Sequence, residues 1–174
     1  MTKRDVMLAA GKLKTIKRQG WLDAGIPRQH VESVADHSFR VACIAAFLAP
    51  SGSLDALKMV RMALVHDLAE SVTGDLTPRS GVSKKKKALM EEEAVRRLGS
   101  GELLSLWKEY DAGRTPESRL VREIDVLERV VQARDYQRRH PERDLAHFLR
   151  GWKSLIRTPQ LRELLERHLS APTQ

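Results

Sequence analysis

Apolar residues recur three and four positions apart along nearly the whole chain, the spacing that gathers them on one side of an α-helix. Val6 to Arg18, carrying Leu8, Leu13 and Ile16, predicts a first helix, followed by a connection containing Gly20. Ser33 is placed to cap a second helix running to about Ala49, with Val34, Val41, Ile44 and Leu48 on its apolar stripe. Pro50-Ser51-Gly52-Ser53 breaks the chain, and a third helix runs from about Leu54 to Val72 and ends at Gly74. The loop Thr77 to Gly81 precedes a fourth helix, capped by Ser83 and reaching Leu98. Beyond Gly99-Ser100-Gly101 a short helix extends to about Asp111, and a long one from about Pro116 to Arg139. His140-Pro141 ends it, and one or two helices follow. No strand-like alternation of useful length and no repeat interrupts this pattern. The expected fold is an all-α bundle, one domain over 1–174 with a motif-bearing core at about 13–140 and C-terminal helices at 141–170.

Composition sharpens the picture in a few places. With 41% hydrophobic residues, the 174-residue chain has the makings of a buried core rather than a disordered segment. No apolar run approaches the roughly 20 residues a membrane span needs, and Met1 to Gly20 lacks the apolar block of a secretory signal. The lone cysteine, Cys43, suits a reducing cytoplasm. A formal charge of +8 favours anionic partners, whether a phosphorylated small molecule, a nucleic acid or an acidic surface; it fits a merely solubilising surface equally well.

Four polar residues fall where the helical pattern expects core. His37 lies four before Val41 on the stripe of Val34 and Ile44; His66 and Asp67 interrupt an apolar face between Val65 and Leu68; Asp125 sits between Ile124 and Val126. Burying a carboxylate is unfavourable unless it is paired or bound to a cation. Imidazole with carboxylate suits one divalent ion such as Co, Mn, Fe, Ni or Zn, and four protein ligands leave positions open for water and substrate. Singly, each residue reads as well as a hydrogen-bonded core side chain.

The surrounding text goes further. Ala63-Leu-Val-His-Asp-Leu-Ala-Glu-Ser-Val-Thr-Gly-Asp-Leu-Thr-Pro78 resembles the signature of the HD-domain metal-dependent phosphohydrolases, in which His … His-Asp … Asp bind the metal. Glu32-Ser-Val-Ala-Asp-His-Ser38 is similar to the segment carrying the first ligand, and Lys17-Arg18-Gln19-Gly20-Trp21 to the stretch before it. Glu91-Glu92-Glu93-Ala94 follows the loop as in those proteins, and Asp125 to Tyr136 resembles the helix of the last ligand. Within the family the likeness is to the 5′-deoxynucleotidases, spanning about Leu13 to Tyr136.

The resemblance implies metal ligation by His37, His66, Asp67 and Asp125, and hydrolysis of deoxynucleoside 5′-monophosphates. It carries catalytic roles onto Glu70 and Asp75, phosphate orientation onto Arg18, and substrate contact onto Trp21, Thr77 and Pro78. Each has an ordinary alternative: Glu70 as a surface residue, Asp75 as turn chemistry, Arg18 as part of a solvated basic face with Lys14 and Lys17, Trp21 as a core or edge ring. Lys84 to Lys87, at a helix start where the macrodipole disfavours cations, either attracts an anionic nucleotide or pairs with Glu91 to Glu93. Glu128 and Gln132 share the Asp125 face and are spaced to orient groups around a metal. Proteins of this kind are often dimers, so a homodimer is an expectation. Two other functions fit less: an HD phosphohydrolase acting on another nucleotide or phosphate ester, or a basic nucleic-acid or regulatory binding module. The second has no recognition helix or zinc finger to support it and leaves the His and Asp residues unexplained.

Overall fold

The computed structural model describes residues 3–48, 54–99 and 101–171. The fold is all-α, as the apolar spacing predicts. Eleven α-helices follow one another: α1 (Lys3–Leu13), α2 (Gln19–Asp23), α3 (Val34–Leu48), α4 (Ala56–Val65), α5 (Glu70–Thr73), α6 (Lys84–Leu98), α7 (Gly101–Ala112), α8 (Pro116–Arg139), α9 (Ala146–Leu149), α10 (Trp152–Leu155) and α11 (Pro159–Ser170), with a 3₁₀ turn at Pro78–Ser80. Among the described residues the only β-type pairing is a single antiparallel bridge between Lys17 and Ser33.

The long helix α8 is the spine, packing against α3, α4, α7 and the C-terminal helices α9, α10 and α11. Its inward face carries Val121, Ile124, Leu127 and Val130, which meet Val41 and Ala45 of α3, Met59 and Met62 of α4, and Leu161 and Leu165 of α11. Each such buried aliphatic side chain contributes about 1.5–3 kcal/mol. A second cluster joins Trp21, Ile26 and Val31 to Tyr136 and Leu145, and so ties α2 and the following loop to the end of α8.

Helix starts are written locally. Thr115 accepts the Ser118 N–H (3.2 Å) while the Ser118 hydroxyl accepts the Thr115 N–H (3.1 Å), with Pro116 in the first turn. At α3 the Ser33 N–H donates to the Asp36 carboxylate (2.7 Å) and the Asp36 N–H to Ser33 Oγ (3.1 Å). Ser83 caps α6, and the bounds of α6 and α8 are those the sequence predicts.

Four expectations are corrected. The first helix stops at Leu13 instead of Arg18, because the chain turns extended: Arg18 N–H bonds to the Glu32 carbonyl (3.1 Å) and Val34 N–H to that of Ile16 (2.9 Å). The connection at Gly20 is itself the short helix α2. The third helix is not continuous to Val72; α4 ends at Val65, and His66–Ala69 form a tighter turn in which the N–H of Leu68, Glu70 and Ser71 each reach back three residues. Trp107 of α7 explains the break. Its indole N–H takes the His66 carbonyl (3.2 Å), the acceptor an unbroken helix would give to Glu70. The described residues beyond α8 hold three helices rather than one or two. The expected break at Pro50–Ser53 and the Ser100 position of the second hinge lie outside the described residues.

Candidate active site

α3, the His66 turn and α8 deliver the four residues singled out by the sequence to one place. His37 Nε2 lies 3.3 Å from His66 Nε2, 3.6 Å from Asp67 Oδ2 and 3.3 Å from Asp125 Oδ1; His66 Nε2 is 3.2 Å from Asp67 Oδ2. Donor atoms bound about 2.0–2.2 Å from a shared ion stand about 3.0–3.5 Å apart; His37, His66 and Asp67 lie close enough together to hold an ion, and Asp125 stands beside His37. The two histidines are buried; the aspartates, expected among core positions, instead keep 18% and 31% of their side chains exposed at the edge of a cleft. Ligands that close a site on the protein side and leave it open on the other suit an ion that must also meet substrate.

Both imidazoles are held with Nε2 towards the site. His66 Nδ1 is 2.7 Å from the Ala63 carbonyl, which fixes the proton on that nitrogen. His37 Nδ1 is 2.5 Å from Glu128, whose other oxygen accepts from Arg40 Nε (2.9 Å) and Nη2 (2.6 Å); Arg40 also donates to Gln132. Glu128 and Gln132 thus orient the ligand helix from behind. The electrostatics ask for a cation. Burial works against charge on Asp67 and Asp125, yet His66, His37 and Arg18 for the first, and His37 and His66 for the second, hold both well below the usual carboxylate range. Burial and Arg18 oppose a proton on His37, but Asp125 and Glu128 outweigh them and push it up to about 10. That trapped proton marks where a metal's positive charge would sit.

Around this cluster opens a cleft of about 650 Å³. Arg18, just before α2, donates to Asp67 (3.2 Å) and leaves the rest of its guanidinium facing the cleft. Burial disfavours its charge, and Asp67, Asp75, Glu70 and Asp125 more than restore it. Glu70 opens α5, buried, and its Oε2 has no hydrogen-bond partner. Burial first, then Asp67 and Asp75, raises its pKa well above the ordinary glutamate value. Gly74, at φ 73°, turns the chain so that Asp75 accepts the Gln19 N–H (2.6 Å) at the start of α2. Thr77 donates to Asp23 (2.8 Å), and with Pro78 it lines the cleft.

Trp21 is packed as a core ring at the edge of the cleft. It is 2% exposed, edge-on to Tyr136 and packed on Phe148, with its indole N–H donated to Glu32 (2.9 Å), and it also lines the cleft. Other residues in or beside the cleft escaped the sequence reading or were left undecided by it. Tyr110 donates to Asp125 (3.1 Å) from α7. Lys87 reaches the Leu76 carbonyl (2.9 Å) and pairs with Glu91 (3.5 Å), as the pairing alternative expects, and it also lines the cleft. Arg129, His147 and Phe148 also line the cleft. An isolated Arg on a helix or a Phe in a short C-terminal segment carries no spacing signal that could have marked them.

Comparison with known proteins points the same way. The family described as HD domain matches residues 10–160. The chain is 38% identical over 160 residues to the 5′-deoxynucleotidase hdd1 of Schizosaccharomyces pombe, covering 85% of this chain and 79% of that protein. It is 37% identical to the 5′-deoxynucleotidase HDDC2 of Dictyostelium discoideum, covering 74% of each. Among solved structures, a conserved hypothetical protein of Pyrococcus furiosus superposes with a TM-score of 0.83 at 34% identity, over 95% of this chain and 98% of that one.

Proposed function

The chain belongs to the HD-domain family, and from that membership and its cleft we propose that it is a metal-dependent 5′-deoxynucleotidase, converting deoxynucleoside 5′-monophosphates to deoxynucleosides and phosphate. The observation that carries this reading is the convergence of the His37, His66, Asp67 and Asp125 donor atoms beside Arg18 and an unpartnered, buried Glu70. One divalent ion of the Co, Mn, Fe, Ni or Zn group would be held by those four side chains. Bound there, it supplies Lewis acidity at a phosphoryl oxygen and lowers the pKa of a water molecule.

The chain's own residues do the rest. Arg18 is anchored through one nitrogen by Asp67, so its remaining N–H groups meet the phosphate in a fixed orientation and offset the charge that builds on its oxygens. Glu70 accepts the proton of the attacking water. Its raised proton affinity fits a base, and its position two residues past the Asp67-Leu68 turn keeps it out of the ligand set. Asp75, fixed by the Gln19 N–H, faces the same space and contacts the substrate, while Thr77 and Pro78 wall the cleft.

Among the described residues no helix is long and apolar enough to cross a membrane, and the free Cys43 suits a cytoplasmic setting. A homodimer would give Phe39 and Phe47, 67% and 88% exposed and two turns apart on α3, a partner. Purified protein supplied with Mn or Co should release phosphate from dAMP, dGMP, dCMP and TMP, and Asp67→Asn should not. If the wild-type protein leaves all four intact, the assignment fails.

A further inference from the structure

Three residues of the cleft lining take no part in the chemistry above. Arg129 lies one turn beyond Asp125 on α8, half-buried and lining the cavity. Its Nε is shielded from solvent without a hydrogen-bond partner, and among the described residues no carboxylate pairs with it. Arg18 differs sharply, being tied to Asp67. Asp125, although a turn away, meets His37 rather than Arg129. A shielded donor left unmatched is unfavourable; Arg134 and Arg138 of the same helix share that state, and of the three Arg129 is the one that lines the cleft.

Beside it α9 packs on α8 and brings Phe148 into the cleft wall. The Phe148 ring lies 4.2 Å from Trp21 centroid to centroid, His147 lies 4.0 Å from it, and Gly20 runs alongside, near enough that a Cβ there would make ordinary contact with the ring at 3.6 Å. Trp21 is in turn fixed by Tyr136 and Glu32. Phe148 is therefore a braced aromatic surface that still borders the cavity. A braced ring is a stacking platform for a flat heterocycle. Arginine only donates hydrogen bonds, and its paired N–H groups match an edge with two adjacent acceptors. Guanine offers such an edge in N7 and O6, whereas adenine offers one acceptor and one donor.

We infer that Phe148, supported by His147, and Arg129 form the nucleobase subsite of this cleft, with Arg129 directing it towards guanine. The inference rests on the nucleotide reading given above and names the part of the substrate that reading leaves open.

The test sets wild type, Phe148→Ala and Arg129→Met against dGMP, dAMP and deoxyribose 5-phosphate, the last having no base. Wild type should show a higher kcat/KM for dGMP than for dAMP. Arg129→Met should lower the dGMP value about tenfold and erase the preference. Phe148→Ala should raise KM about tenfold for both nucleotides and leave deoxyribose 5-phosphate unchanged. Phe148→Leu, which keeps the bulk without the aromatic face, should behave the same way if the alanine variant folds poorly. Equal losses on the base-free substrate, or unchanged nucleotide KM values in both variants, overturn the inference. Calorimetric binding of dGMP and deoxyribose 5-phosphate to the metal-free protein separates the two readings. A wild type that hydrolyses nothing refutes the nucleotidase, while tighter binding of dGMP that vanishes in both variants still upholds the base subsite.

Discussion

At the floor of the cleft Glu128 is wholly buried, yet His37 and two nitrogens of Arg40 share its oxygens, and these partners overcome burial to lower its pKa. On the wall Glu70 is buried almost as completely, its Oε2 meets nothing, and burial with Asp67 and Asp75 drives its pKa upward. The same side-chain chemistry, a few ångströms into one protein, is satisfied in one place and left open in the other. Satisfied groups hold geometry, because any movement breaks bonds that cannot be replaced in a dry interior. Open groups hold reactivity, since their partner arrives only with the substrate.

The sharpest test of that contrast is Glu70→Gln, which should lower kcat by about 10²–10⁴-fold while metal content per chain stays unchanged. Loss of metal in this variant would move Glu70 into the ligand set and erase the distinction. Glu128→Gln should do the reverse, weakening metal affinity about 10–100-fold, with activity recovered at saturating metal. Persistent inactivity at saturation would mean that Glu128 acts on substrate.

A smaller effect should appear in the pH dependence of metal binding. In the metal-free protein His37 carries a proton up to about pH 10, above its ordinary value of 6.5. A metal must displace that proton, so affinity should rise by about tenfold per pH unit below that value and level off above it, with proton release measurable by calorimetry in buffers of different ionisation heat. The sign for stability is opposite. The raised pKa stabilises the metal-free fold fully below about pH 6.5, and the contribution is lost as pH rises towards 10. Flat affinity across this range would show that His37 is already neutral. The least effect is expected far from the cleft: Thr115→Ala removes the cap of α8 and should cost about 1 kcal/mol in denaturant unfolding without changing KM.

Floor and wall also differ in how much of them the sequence discloses. His37 stands on the stripe of Val34 and Val41, and Asp125 between two apolar neighbours, so helical periodicity alone brings them inward. Pro116, Thr115 and Ser83 announce the starts of α8 and α6 through chemistry confined to four residues. The break at His66 is invisible locally. It needs the Trp107 indole, supplied by a helix forty residues away, to claim one carbonyl. Trp21 reads in sequence equally as a ligand-stacking or a core ring, and its packing comes only with the arrival of Tyr136 and Phe148 from elements far along the chain. Arg129 looks in sequence like any solvated helix charge. Its place in the cleft depends on α9 folding back over α8, a tertiary event that no local pattern encodes.

The most direct test is a titration of metal-free protein with Mn at fixed dGMP, following phosphate release and bound metal together. Activity should be absent at the start, rise in proportion to metal bound, and saturate at about one ion per chain; His37→Ala should bind weakly and stay inactive. Hydrolysis that is already complete before metal is added, or that ignores the metal bound at these residues, would contradict the assignment of His37, His66, Asp67 and Asp125 as the centre of the chemistry.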